Sequence, residues 1–162
     1  MAIQIRPGVF TDLFAEVADL AQAKTRAAMT AVAVVAERQA KINVSTGSHP
    51  YGTPTVAHHG AGPSVVSGTL RRSITHLPTA PTGSGFSAMV GAAPGFYPPY
   101  PHHSRDGGPP KRTMSSHYGY YLETGLRNHT TYPWLQPACK WAMGTPAQRL
   151  FTDAFAGGWP SY

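Results

Sequence analysis

The sequence predicts an α+β fold in which a long N-terminal helix packs on a small antiparallel sheet, with C-terminal helices and two long loops, as a single domain over residues 1–162. Three observations predict it. Phe10, Leu13, Phe14, Val17, Leu20 and Ala21 repeat at helical spacing near the start. Two short segments flank the turn tract Thr82-Gly83-Ser84-Gly85 as a hairpin would require. Prolines at 133, 137 and 146 and the glycine at 144 punctuate a C-terminal region whose apolar residues again fall at helical spacing.

Taken in order, Thr11 is expected to cap a helix from Asp12 to about Ile42, with Asp12 and Glu16 near its positive end. Its second half carries small residues, Ala27, Ala28, Ala31, Val32, Val34 and Val35, which let another helix or a neighbouring subunit approach closely. Residues 43–66 are rich in Gly, Pro, Ser, Thr and His without a period and read as a loop. A helical turn at 69–73 leads into a strand at Ser73 to Leu77, and the hairpin returns as a strand from Phe86 to Gly91. Residues 93–117 read as a second long loop. Its Phe96, Tyr97 and Tyr100 among prolines suggest a stiff arm that orders on a partner.

In Tyr118 to Glu123 the alternation predicts a strand, with Tyr118, Tyr120 and Leu122 on one face and Gly119, Tyr121 and Glu123 on the other. Gly125 ends it in a turn. Pro133 and Pro137 cannot both sit in one helix, so a tight turn is expected at 133–136 and a helix from Pro137 at its first position. Trp134, Ala138 and Trp141 share a face of it. Gly144 ends that helix, Thr145-Pro146 opens the last one, and Leu150, Phe151, Ala154 and Phe155 form its buried stripe.

Composition narrows the function. The chain has a net charge of +6 at pH 7 and one cysteine, which excludes an internal disulfide and a cysteine-based zinc site. No signal peptide is visible, and the apolar run Ala27 to Ala36 is far too short for a bilayer span, so a protein made in the cytoplasm with no membrane partner is expected. The basic excess lies between residues 66 and 131, where Arg71, Arg72, Arg105, Lys111, Arg112 and Arg127 face only Asp106 and Glu123. That excess fits a solvated or partner-facing surface, with a basic nucleic-acid-binding module as the alternative from another class.

Catalytic chemistry is not expected. The histidine pairs His58-His59 and His102-His103 lack the spaced carboxylates or thiolates of a metal site, and no cofactor motif is present. Cys139 follows a helix start that would favour its thiolate, but no nucleophile motif surrounds it and it reads as a small, partly buried residue. Arg71 and Arg72 point in different directions. One is expected to pair with Glu123, the lone acid of its segment, unless both are simply exposed.

The order of three blocks carries a resemblance. Gly68-Thr69-Leu70-Arg71-Arg72-Ser73-Ile74 precedes a strand ending Val90-Gly91; Tyr118-Gly119-Tyr120-Tyr121-Leu122-Glu123-Thr124-Gly125 follows; then comes Pro133-Trp134-Leu135-Gln136-Pro137-Ala138. This resembles the neck and tail-completion proteins of long-tailed double-stranded DNA bacteriophages, with Trp134 in place of the family's usual Phe and a long insertion between the strand ending Val90-Gly91 and the segment starting at Tyr118. The matched pieces cover roughly 68–91 and 118–139.

The resemblance implies a structural virion protein with no cofactor, assembled in the host cytoplasm. It implies a ring, commonly sixfold, at the head-proximal end of the tail, joining tail to head connector. The implied partners are further copies of the chain, a head-completion or stopper protein, a tail terminator or tail tube protein, and viral DNA passing through without sequence recognition. A tail terminator or other minor tail protein is the alternative within this class. Contact residues expected on this reading are Ala27, Ala28, Ala31, Phe96, Tyr97, Tyr100, Arg71, Arg72, Glu123 and Trp134.

Overall fold

A proline at position 7, whose fixed φ suits the first turn of a helix, opens the longest element of the chain. In the computed structural model, which describes residues 7–51, 53, 55, 57–99, 112–125 and 130–159 with side chains from residue 14, helix α1 runs from Pro7 to Asn43. Thr11 therefore lies inside the helix and is not its cap. Tyr100, Arg105, Asp106, Lys111, Arg127 and His102-His103 lie outside the described residues, as do the side chains of Phe10 and Leu13.

At 37 residues α1 is roughly 55 Å long. Its inward face is a row of alanines, Ala28, Ala33, Ala36 and Ala40, followed by Val44 just beyond the helix, all buried. Small side chains at this spacing let α4 (Leu135–Ala142) and α5 (Thr145–Phe155) lie close against it. Phe14, by contrast, is 65% exposed.

After α1, the described residues of 44–68 form no regular element, yet they are held in place. Val65 and Ser48 form a parallel bridge, with Val65 N–H donating to the Gly47 carbonyl at 2.7 Å and His49 N–H to the Val65 carbonyl at 3.0 Å. Gly62 sits so near the end of α1 that a Cβ there would fall 1.9 Å from the Asn43 carbonyl oxygen, so no other residue fits without backbone movement.

The expected helical turn is α2 (Thr69–Ser73), which feeds β1 (Ile74–His76). The expected hairpin is present, but the returning strand divides. β2 (Ala80–Thr82) pairs antiparallel with β3 (Gly85–Ser87), and β1 pairs antiparallel with β4 (Val90–Ala92). Between the two ladders three residues, Leu77 to Thr79, oppose two, Ala88 and Met89. The extra residue behaves as a bulge, bending the hairpin at Pro78 and turning Thr79 inward, where its hydroxyl meets that of Thr30 on α1 at 2.8 Å.

The largest correction concerns residues 118–123. They form no strand but lie inside helix α3 (Ser115–Thr124), so the loop expected to run to 117 stops at Met114. Tyr118 and Leu122 share a face in either conformation. The buried set Ser115, Gly119 and Leu122 has spacing only a helix satisfies. Helix α4 starts at Leu135, two residues before the expected Pro137. In α5 Thr145 is already helical, no side chain caps the start, and Leu150, Phe151, Ala154 and Phe155 are only half-buried. Among the described residues no helix is long and apolar enough to cross a membrane.

The core gathers where these elements converge: Ala40 and Val44 beside α1's end, Ile74 of β1, Leu122 of α3, Trp134, and Ala138 of α4. Leu70, Ala92, Tyr132 and Leu135 pack around it. Burying a tryptophan removes on the order of 200 Å² from water, roughly 5 kcal/mol before conformational entropy is deducted, so Trp134 is its largest single contributor.

Candidate functional site

The three sequence blocks meet in space around Glu123. Its carboxylate accepts backbone N–H groups from Trp134 (2.8 Å) and Leu135 (3.0 Å) on Oε2 and from Gln136 (2.8 Å) on Oε1. A helix start leaves about four N–H groups without intrahelical acceptors. Here three of them are taken by one carboxylate, and the fourth position is Pro137, which has no N–H to satisfy. A negative charge at the positive end of α4 adds a favourable dipole interaction.

Trp134 completes the clamp from the other side. Its indole Nε1–H donates to the Gly119 carbonyl at 3.0 Å, and only 2% of the residue is exposed. A Cβ on Gly119 would stand 2.9 Å from Leu70 Cδ1 and 3.1 Å from the Trp134 ring, so glycine is what lets α2, α3 and the indole touch. Tyr132 N–H donates to the Leu122 carbonyl (2.7 Å), and Asn43 Nδ2 of α1 donates to the Trp134 carbonyl (2.9 Å). Gly125, at φ 122°, closes α3 with its N–H on the Tyr121 carbonyl. Thr131 is bonded on both sides, its N–H to His59 Nδ1 (3.1 Å) and its carbonyl to Gly60 N–H (2.9 Å).

The expected Arg71–Glu123 pair does not form, because the amides of the α4 start occupy the carboxylate. Arg71 is exposed. Arg72 is exposed too, and its guanidinium turns back to the Thr69 hydroxyl at 3.3 Å. Trp134 and Ala28, expected at a subunit contact, are buried within the chain's own fold; Ala31 is half-buried and Ala27 exposed. Phe96 and Tyr97 are exposed, at 39% and 49%.

Two features escaped the sequence reading. The first is a carboxylate on α1: Glu37 binds Lys41 one turn on through Oε1, and His76 of β1 through Oε2, which accepts from both its backbone N–H (3.1 Å) and its ring Nδ1 (2.6 Å). Partial burial pulls the Glu37 carboxyl up, but hydrogen bonds from Lys41 and His76, with their charges, outweigh it and hold the group below its ordinary 4.5. The (i, i+4) Glu-Lys spacing was legible; the strand partner was not. The second is an aromatic outer surface. Tyr120 and Tyr121 meet edge to face at 5.9 Å and are 64% and 52% exposed, while Trp141 and Met143 of the next segment are 51% and 67% exposed. Trp141 therefore does not share the buried surroundings of Trp134 and Ala138, with which it was expected to share a face.

Burial, with the nearby Glu123 charge, raises the Cys139 thiol above its ordinary value, the direction opposite to that which activates a thiolate. Burial beside Tyr132 likewise raises the Tyr118 phenol. Among the described residues no three His, Cys, Asp or Glu side chains group closely enough to hold a metal ion.

The site is thus a structural clamp in an α+β protein: two helices and a turn locked by a carboxylate, an indole and a glycine, with aromatic side chains left outside. Against known proteins, no family model matches the chain, nor does any curated protein or solved structure.

Proposed function

We propose that this chain is a structural virion protein of the neck of a long-tailed DNA phage, forming a ring at the head-proximal end of the tail that completes the tail and joins it to the head connector. One observation carries the reading. The three blocks on which the resemblance rests, far apart in sequence, fold into one unit in which Glu123 binds the start of Trp134-Leu135-Gln136-Pro137 and Leu70 packs on Gly119. Such interlocking fits three blocks that serve one structural scaffold. The exposed Tyr120, Tyr121, Trp141 and Met143 suit contacts with other subunits, since aromatic and Met side chains are enriched at protein interfaces.

The test is an amber mutation in the gene. Filled heads and separate, unjoined tails are expected, and purified protein added to the lysate should restore joined particles. Normal joined virions made without the protein would sink the proposal.

A further inference from the structure

A cavity of about 410 Å³ opens between the 44–68 segment, α2 and the start of α3. That volume falls in the range of small-molecule sites. Its walls are largely apolar, from Val44, Val65, Leu70 and Leu122, and none of its described lining residues is an acid. Three polar features line it: a guanidinium, a buried hydroxyl and the start of α3, whose first N–H, that of Ser115, is already taken by the Phe96 carbonyl at 2.8 Å. Arg71 lines it, and among the described residues no carboxylate binds its guanidinium; Glu37, the acid of the neighbouring groove, is already taken by Lys41 and His76. Ser115, only 2% exposed, also lines it, and its hydroxyl has no hydrogen-bond partner. Ser115 is the first residue of α3, whose N-terminus carries no side-chain cap and no acid in its first turn.

A buried hydroxyl without a partner is rare, because its desolvation is uncompensated. It lies at the positive end of a ten-residue helix that lacks its usual anionic complement. An unpaired guanidinium on the same cavity adds a donor fork suited to a planar carboxylate. The apolar walls favour a hydrocarbon or ring attached to that group.

We infer that this cavity binds a small organic carboxylate with an apolar body about one ring in size, its carboxylate held by Arg71, the Ser115 hydroxyl and the first turn of α3, and its body lying against Leu70 and Leu122. A polyanion such as phosphate lacks the apolar body, and a neutral analogue lacks the charge, so both are weaker ligands.

Calorimetric titration of the full chain with 4-phenylbutyrate tests this, with 4-phenylbutyramide and inorganic phosphate as comparisons. Saturable one-to-one binding of the carboxylate is expected, with both comparisons weaker by about tenfold or more. Arg71→Gln should weaken phenylbutyrate by about tenfold or more, whereas Arg72→Gln, next to it and outside the cavity, should change it less than about twofold. Ser115→Ala provides a separate check: it should weaken binding by about threefold while leaving the free protein at least as heat-stable as wild type, since the hydroxyl it removes has no partner. Absence of saturable binding, equal affinity for the amide, or indifference to Arg71→Gln overturns the assignment. So does a loss of thermal stability in unliganded Ser115→Ala, which would mean that the hydroxyl is satisfied within the fold.

Discussion

Helix α1 is held by different physics at its C-terminal end and near its middle. Near Asn43 the helix joins a core with a tryptophan, a leucine and an isoleucine all at 2% exposure or less, tied together by backbone-directed bonds to Glu123, Trp134 and Asn43. Farther toward its start it lies against α5, a helix with no buried residue, where the specific ties are Lys24 Nζ donating to the carbonyls of Ala154 and Gly157 and lying 5.5 Å from the Trp159 ring. The clamp end orders large side chains and leaves few polar groups unsatisfied. The α5 end relies on half-buried contact and one flexible cation. The contrast teaches that the segments around Glu123 and Trp134 mark where the fold is most tightly determined, and that α5 is the first element expected to open.

Changes that break the clamp should therefore exceed any change in α5. The largest effect is expected for Trp134→Ala, about 4 kcal/mol by urea unfolding, because it leaves a cavity in the core and removes the indole's bond to the Gly119 carbonyl. Glu123→Gln should lose about 2 kcal/mol: an amide keeps one acceptor oxygen but turns an NH2 group toward an amide donor and removes the charge from the α4 start. Gly119→Ala should lose on the order of 1 to 3 kcal/mol by pushing Leu70 and the indole apart. A loss below that of any α5 variant in these three would erase the contrast.

Glu37 sharpens the comparison through pH. Its folded-state carboxyl titrates below its ordinary 4.5, so the stability it contributes is present above that value and fades as pH falls through the lower folded value. Thermal melts of wild type should thus drop on acidification in that window. Glu37→Gln should start lower at neutral pH and show a flatter acid limb; an unchanged limb would remove Glu37 as the tie between α1 and β1. The smallest effect belongs to Lys24→Met, below about 1 kcal/mol, read best as faster hydrogen exchange confined to α5.

Features that depend on short-range chemistry are legible along the chain alone. The alanine-rich period produces α1 wherever it is placed, Thr82-Gly83-Ser84-Gly85 turns the hairpin, Thr69–Ser73 forms its single turn, and Gly144 separates α4 from α5. Tertiary structure decided the rest. Tyr118 to Glu123 satisfies a strand period as well as a helical one over so few residues; the docking of the indole on Gly119 and of Leu122 in the core selected the helix. Glu123 had two claims on it, a distant guanidinium and the N–H groups of a helix start. The helix start won because its donors are fixed in place and cannot remain unsatisfied on partial burial, whereas Arg71 at the surface is satisfied by water. No spacing along the chain encodes that choice, since it depends on where α4 begins once Trp134 is buried.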